Sequence, residues 1–183
     1  WVHDGLAAWY GNGRKRYGSL REHVGNKAEM AVEAAMAQGA PEYMLDKASE
    51  LTALAEAMAE GYERHYGRDP AVYVLATEIP LQVEVTDYDD NPLVVNKLKP
   101  DLVFSDVHGV WLMEHKTASQ IVTGHLPLDD QARPYGSMAE QALRKIGLIG
   151  AHQEFKGIMY SFLRKAFPDE RERDAQGRAL NRS

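Results

Sequence analysis

The chain contains no cysteine among its 183 residues. This absence excludes disulfides, thiolate nucleophiles, iron–sulfur clusters and zinc sites built on cysteine. It fits a reducing compartment, and we expect the chain in the cytoplasm. Long apolar runs are missing as well, since none approaches the roughly 20 residues of a membrane-spanning helix. No secretory signal is recognisable either, so we expect neither a membrane partner nor export.

The remaining composition is ordinary for a folded protein, with 44% hydrophobic and 26% charged residues. A chain of this length can bury one sizeable core, so we expect one domain over residues 1–168. Residues 169–183 are polar, and we expect a flexible or truncated segment there. The chain starts at Trp1, already inside an apolar pattern, which leads us to expect a longer gene product.

Charge is distributed unevenly along the chain. The net charge is −6, from 27 acidic and 21 basic residues. Residues 1–132 hold 11 bases and 21 acids, a net of −10, whereas residues 133–183 hold 10 bases and 6 acids, a net of +4. Nucleic-acid-binding proteins usually present a basic surface, which the net negative charge of the chain does not predict. Two interpretations stay open: a C-terminal third that faces phosphates, or acidic residues that only coat solvated helices.

The order of predicted elements indicates a mixed α/β domain built around one sheet. Ala-, Glu-, Met- and Leu-rich or 3.6-periodic segments predict helices, and β-branched apolar segments between turn residues predict strands. Helices are predicted at 1–10, 19–38 and 41–66, strands at 71–85, 92–104 and 109–117, a helix from Asp129 and Asp130 to Arg144, and a strand at 154–165. The three consecutive strands are expected to form a meander, with the last strand following the fourth helix.

The residues best suited to chemistry lie in the second and third predicted strands, where we place them close to the connecting turn. Asp101 follows Pro100, and Glu114 and Lys116 are two residues apart. Because side chains alternate along a strand, Glu114 and Lys116 share one face, while His115 points elsewhere. Pairing of the two strands would bring Asp101 to Glu114. Two carboxylates can hold Mg²⁺ or Mn²⁺, and a lysine beside them can stabilise a phosphate and orient an attacking water.

Glu-x-Lys alone is a weak signal. A second copy occurs at Glu154–Lys156 and a second Pro-Asp at Pro168–Asp169, but these copies come in the wrong order and lack the preceding hairpin. The alternative interpretation of Glu114 and Lys116 is a surface ion pair at a strand end. Gln131 and Tyr135, which would share one face of the fourth predicted helix, add a further pair of polar groups after this strand.

Taken in order, these motifs resemble the RecB-type branch of the PD-(D/E)xK nucleases, and within it phage and prophage exonucleases. The resemblance covers WVHDGL at the N-terminus, with His3 at the family's metal-ligating histidine, and the Pro-Asp, Glu-x-Lys and Gln-x-x-x-Tyr motifs. It implies a restriction-endonuclease-like fold, a mixed sheet flanked by helices. It also implies a DNA exonuclease in phage or bacterial recombination or repair, with Mg²⁺ or Mn²⁺ as cofactor.

The resemblance also implies roles for individual residues. Asp101, Glu114 and His3 would hold the metal, with the backbone carbonyl of His115 as a further ligand. Gln131 and Tyr135 would position the scissile strand or the catalytic lysine. The implied partners are DNA ends, bound without sequence preference, and a recombination or single-strand annealing protein.

Two departures from the family pattern stand out. The cysteines that some relatives use for an iron–sulfur cluster are missing, and Pro134 falls inside the Gln-x-x-x-Tyr motif. Because proline is poorly tolerated beyond the first helical turn, Pro134 indicates a helix that starts later than the motif suggests. Three alternatives to a DNA exonuclease stay open: a catalytically idle nucleic-acid-binding domain, an endonuclease and an RNA nuclease.

Overall fold

The computed structural model describes residues 1–11, 16, 18–67, 72–89, 91–124 and 132–167, of which 132–135 and 137 are described by their backbone alone. Within these ranges the protein is a mixed α/β structure of four helices and six strands. In chain order they are α1 (Val2–Gly11), α2 (Leu20–Ala37), α3 (Glu42–Tyr66), β1 (Tyr73–Thr77), β2 (Leu81–Thr86), β3 (Pro92–Leu98), β4 (Leu102–Ser105), β5 (Val110–Ala118), α4 (Ala132–Lys145) and β6 (Phe155–Arg164).

Local sequence signals explain where the first helices begin. Ser19 caps α2 through a capping box, in which its hydroxyl accepts a hydrogen bond from the Glu22 backbone N–H while the Glu22 carboxylate accepts one from the Ser19 backbone. Pro41 precedes the first residue of α3 in an extended conformation, one residue outside the first turn in which the sequence predicted it. All three predicted N-terminal helices are therefore confirmed to within a few residues.

The sheets differ from the single predicted meander. A four-stranded sheet has the order β1-β4-β5-β6, in which β1, β4 and β5 are antiparallel neighbours and β6 pairs with β5 in parallel. Strands β2 and β3 form a separate antiparallel pair. The structure thus has five strands between residues 73 and 118, where the sequence predicted three.

Each of the first two predicted strands is broken at a proline. In segment 71–85, β1 ends just before Glu78, whose backbone φ of 51° is incompatible with a strand. Pro80 follows and directly precedes β2. Segment 92–104 breaks at Lys99–Asp101, around Pro100. The two breaks face each other, since the Glu78 backbone N–H donates a 3.1 Å hydrogen bond to the Asp101 carbonyl. The chain between β1 and β4 can therefore form the separate β2–β3 hairpin while β1 and β4 pair in the main sheet.

The four-stranded sheet carries an apolar cluster on each side. One cluster joins α1, α2 and α3 to the sheet, with Trp9, Leu20 and Val24 fully buried. The other joins α4 and the β2–β3 hairpin to the sheet, with Leu112 and Leu143 fully buried. Alternate residues of β4 and β5 contribute to opposite clusters, as the two-residue period of a strand requires. Glu114 and Lys116 alternate with Leu112 along β5. Their side chains therefore leave the sheet on the face that packs on α4.

The β4–β5 connection needs glycine at one position. Gly109 has a φ of 148°, and a Cβ atom there would lie 2.5 Å from the Glu154 carbonyl oxygen. Both facts exclude a larger residue without a backbone shift. This tight turn fixes the register of the hairpin that carries the candidate site.

The structure also bears on the predicted C-terminal elements and on the expected absence of a membrane-spanning helix. The strand predicted at 154–165 is confirmed as β6, and the helix predicted to Arg144 is confirmed as α4. The predicted helix start at Asp129 and Asp130 lies outside the described residues, as does segment 169–183. The single domain over 1–168 stays a prediction. In the described part of the chain no helix is both long and apolar enough to cross a membrane.

Candidate metal-dependent active site

Strand pairing brings Asp101 and Glu114 together. In the β4–β5 ladder Leu102 pairs with Met113, so Asp101, one residue earlier, lies opposite Glu114. One Asp101 oxygen, Oδ2, accepts a 2.7 Å hydrogen bond from the backbone N–H of His115. The two carboxylates lie at the end of the hairpin that is remote from the turn at 106–109. The expectation that they lie close to this turn was wrong, because Asp101 directly precedes β4, at the end of the hairpin opposite the turn.

Helix α1 places His3 beside this pair. The Nδ1 atom of His3 lies 3.6 Å from Asp101 Oδ2. This contact with Asp101 is the main reason why the pKa of His3 is raised above 6.5. Burial pushes the pKa of Asp101 upward, but the contact with His3 and the hydrogen bond from the His115 backbone outweigh it and lower that pKa. The contact therefore favours the charged forms of both groups, the Asp101 carboxylate and the His3 imidazolium.

Glu114 has the opposite electrostatic environment. Its burial, and then the negative charge of Asp101, raise its pKa from 4.5 to about 7, against the weaker effect of Lys116. Its Oε1 atom is buried and has no hydrogen-bond partner among the described residues. A buried carboxylate oxygen without a partner is costly, which is why such groups in proteins usually meet a donor or a cation. Glu114 Oε1 is therefore a candidate atom for binding a donor or a cation.

Lys116 lies on the same side of β5 as Glu114. Its Nζ atom is 6.0 Å from the centre of the Tyr160 ring on β6, at the outer limit of a cation–π contact. Tyr160 pairs with Glu114 in the parallel β5–β6 register. Sequence reasoning did not find Tyr160, because nothing local in the chain gives the register of a parallel strand that follows a helix.

The His115 side chain points to the opposite side, as its place between Glu114 and Lys116 predicts. The residue is buried, and its ring stacks on Tyr10 with the ring centres 6.2 Å apart and the planes at 12°. The ring of Tyr62 is nearly perpendicular to the imidazole, with the two ring centres 5.6 Å apart. Neither ring nitrogen has a hydrogen-bond partner in the described part of the chain, and burial lowers the pKa of His115 to about 4. At neutral pH this imidazole is therefore uncharged, and only its backbone groups face the carboxylates.

Near the same site, Glu78 forms an ion pair with Lys99, two residues before Asp101. Asp4 and Asp101 add to the negative potential that raises the pKa of Lys99, after the dominant effect of Glu78. Glu78 therefore serves as the partner of a lysine in the loop that leads into β4. It is not a third carboxylate beside Glu114.

The other two predicted site residues fall where the structure gives no side-chain description. Gln131 lies outside the described residues, and Tyr135 lies in the second turn of α4 with only its backbone described. Helix α4 begins at Ala132, so Pro134 is its third residue and lies in the first turn, where proline is tolerated. Whether Gln131 and Tyr135 share a helix face stays a prediction.

The donors at this site suit a hard or borderline divalent ion. Asp101 and Glu114 supply carboxylate oxygens, His3 supplies an imidazole nitrogen, and the partnerless Oε1 of Glu114 is a natural ligand atom. Over the described ranges, no three His, Asp or Glu side chains form a ready-made group for a metal ion. The residue types and the partnerless carboxylate oxygen fit such an ion. Of the three candidate ligands, His3 and Asp101 are in contact, and Glu114 lies across the strand pair from Asp101.

Comparison with known proteins gives no further guide to identity. No family model matches the chain, and neither a curated protein nor a solved structure matches it significantly. The function of this site therefore has to be argued from its residues.

Proposed function

We propose that this protein is a metal-dependent nuclease of the PD-(D/E)xK type, with a restriction-endonuclease-like fold, that hydrolyses phosphodiester bonds at DNA ends. The order of elements supports the proposal: helices, a β-hairpin that carries Asp101 and Glu114, then α4 and the parallel strand β6. Lys116 on the same side of β5 supplies the cation that the chemistry requires.

One observation carries the proposal, and it is the state of Glu114. A surface ion pair with Lys116, the simpler interpretation of the Glu-x-Lys motif, would leave this carboxylate solvated and its charge compensated. Instead Glu114 has a buried oxygen with no partner in the described residues and a pKa raised to about 7. Carboxylates in such an environment occur at functional sites, where a substrate or an ion supplies the missing charge.

The roles follow from where each group lies. Asp101 and Glu114, with His3, would hold Mg²⁺ or Mn²⁺, and the family resemblance adds the backbone carbonyl of His115 as a further oxygen ligand. The chemistry that such an ion would supply is a lowered pKa of a bound water and neutralisation of charge on the phosphate. The His115 backbone N–H holds the Asp101 carboxylate in place at 2.7 Å. Lys116 would stabilise the charge that develops on the phosphate and orient the attacking water.

The preference for DNA ends rests on what the sequence offers for recognition. It has no zinc-finger or helix-turn-helix pattern that could read base edges. The basic residues 133–183 suit sequence-independent contact with phosphates. A recombination or single-strand annealing protein is the proposed second partner, and it rests on the family resemblance alone.

The proposal is tested by incubating linear duplex DNA with the protein, with Mg²⁺, Mn²⁺ or a chelator. We expect degradation only with a divalent ion, and none with Glu114→Gln, which keeps the shape of the side chain and removes its charge. A protein that binds DNA and cuts neither DNA nor RNA under any of these conditions would be an idle binding domain of the same fold.

A further inference from the structure

Helix α3, residues 1–3 and the end of β6 border a groove that reaches the proposed metal ligand His3. Two adjoining clefts, of about 330 and 580 Å³, lie between these elements and share Met58. Lys165 lines the smaller cleft, and its neighbour Arg164 lines the larger one. The smaller cleft also includes His3, whose Nδ1 is 3.6 Å from Asp101 Oδ2. We call the two clefts together the α3–β6 groove, and His3 is the one residue of the candidate site among its described lining residues.

The groove is basic although the chain as a whole is acidic. Arg64, Arg164 and Lys165 line it, and no aspartate or glutamate is among its described lining residues. By contrast, the cleft between α2 and α3 is lined by four glutamates, Glu22, Glu29, Glu33 and Glu56. Arg64 has a partner in Glu60 at 3.1 Å, but both side chains are exposed, so this pair contributes little and a phosphate can compete for the arginine.

Aromatic side chains alternate with these cations. Trp1 lines the smaller cleft, and Tyr66 and Phe162 line the larger one. Tyr66 is 41% exposed, at the last residue of α3. Cations that follow a backbone, combined with aromatic faces on which bases stack, are how proteins bind single-stranded nucleic acid without reading its sequence.

A glycine in the C-terminal part of α3 supports the same use of the groove. Gly61 lines the larger cleft, although glycine in a helix interior costs about 1 kcal/mol relative to alanine. A Cβ atom at this position would meet nothing within 4 Å, so packing of the described chain does not require glycine. Its effect is to leave the helix backbone bare on the wall of the groove, where a ligand can approach closely.

We propose that the α3–β6 groove binds one strand of nucleic acid and guides its end to Asp101 and Glu114. The destination of the strand rests on the proposed nuclease function, whereas the binding itself does not. Clefts of a few hundred Å³ are of the size that encloses a small ligand, so they fit a few nucleotides of a single strand. The substrate class is therefore a single-stranded or frayed end.

Binding without catalysis tests the proposal. Fluorescence anisotropy with a labelled oligothymidylate, in a chelator, gives the affinity of the wild-type protein. Gly61→Leu fills the groove and favours the helix, so we expect about 10-fold weaker binding with an unchanged or higher melting temperature. The matched control is Ala53→Leu, an exposed position of α3 that lines the acidic cleft, and its affinity should equal that of the wild type.

Two further measurements separate bases from phosphates. An oligonucleotide with abasic residues at its end should bind the wild-type protein about 10-fold more weakly than the intact one, since each stacked base contributes roughly 1–3 kcal/mol. Arg164→Ala should reduce the slope of log affinity against log salt by about 0.7, the loss of one phosphate contact on a single strand. Equal affinity of Gly61→Leu and the wild type, equal affinity for abasic and intact ends, or no binding of the intact strand would overturn the proposal. If the protein binds the strand tightly through the groove but cuts no DNA, the proposal of a strand-binding groove holds and the proposal of nuclease activity fails.

Discussion

The backbone N–H of His115 donates a 2.7 Å hydrogen bond to the Oδ2 atom of Asp101, across the β4–β5 hairpin. The same oxygen lies 3.6 Å from His3 Nδ1, so one atom joins the hairpin to helix α1. Because the donor is a backbone group in a paired strand, the carboxylate is oriented by the sheet itself. Any group that binds to Asp101 therefore meets a side chain whose position is already fixed.

Catalysis should depend on each of three residues. We expect Asp101→Ala, Glu114→Ala and Lys116→Ala each to lower DNA cleavage by about 10²-fold or more, because each removes charge stabilisation that acts mainly in the transition state. Circular dichroism should show that all three variants stay folded. Cleavage rates of any one variant close to those of the wild type would mean that the site lies elsewhere.

Metal preference should follow from His3. A nitrogen ligand beside two carboxylates favours transition metals, so we expect Mn²⁺ to support cleavage at lower concentration than Mg²⁺. Ca²⁺ should bind without supporting turnover. His3→Ala should weaken Mn²⁺ binding in calorimetry, and His108→Ala, at an exposed turn position, should leave it unchanged. Equal Mn²⁺ affinity of His3→Ala and the wild type would remove His3 from the ligand set.

Metal affinity should also rise with pH. The pKa of Glu114 is raised to about 7, so this carboxyl is largely protonated at pH 6 and must release its proton before it can act as a ligand. We expect Mn²⁺ binding at pH 6 to be weaker than at pH 8, with proton release measurable by calorimetry in buffers of different ionisation enthalpy. Identical affinity at both pH values would show that Glu114 is not a ligand.

Glu114 should make the metal-free protein less stable as pH rises. Its folded pKa of about 7 exceeds its ordinary value of 4.5, so the folded state binds the proton more tightly. The stabilisation is complete below pH 4.5 and is lost as pH rises through 7, a change of about 1–2 kcal/mol after a discount for solvent screening. Melting curves in a chelator should show Glu114→Gln gaining stability over the wild type between pH 5 and 8. Glu33→Gln, on the exposed face of α2, should show no such gain.

His115 should have the opposite pH dependence. Burial lowers its pKa from 6.5 to about 4, so the unfolded chain takes up a proton between these values while the folded protein does not. Wild-type stability should therefore fall as pH falls from 6.5 to 4, and His115→Phe should remove this part of the loss. Phenylalanine also removes two buried nitrogens without partners in the described residues, so we expect equal or higher stability at pH 7. Lower stability at every pH would mean that the ring nitrogens have a partner.

Closed DNA circles separate the two modes of cutting. We expect linear duplex DNA to be degraded and covalently closed circles to survive under the same conditions, because the proposed substrate is an end. The rate should fall when both ends are blocked by hairpin caps. Degradation of closed circles at a rate similar to that of linear DNA would replace the exonuclease by an endonuclease.

The sequence determined the parts of this protein that depend on neighbouring residues. The Ala- and Glu-rich periodicity predicted α2 and α3, and the two-residue period of β5 placed Glu114 and Lys116 on one side and His115 on the other. The spacing of 13 positions from Asp101 to Glu114 also predicted a hairpin. These features are local, since helix period, strand alternation and hairpin length are all set within about 15 residues.

The tertiary structure alone decided the rest. Whether Pro80 and Pro100 end a strand or lie within an edge strand depends on which strands pair around them. Here both prolines lie at strand breaks, and β2 and β3 form a hairpin separate from the main sheet. The approach of His3 to Asp101 joins residues 98 positions apart, and the Glu114–Tyr160 register depends on a crossover through α4. The pKa of Glu114 depends on burial by all of these elements together. Contacts so distant along the chain have no local signal, because packing, and not propensity, selects them.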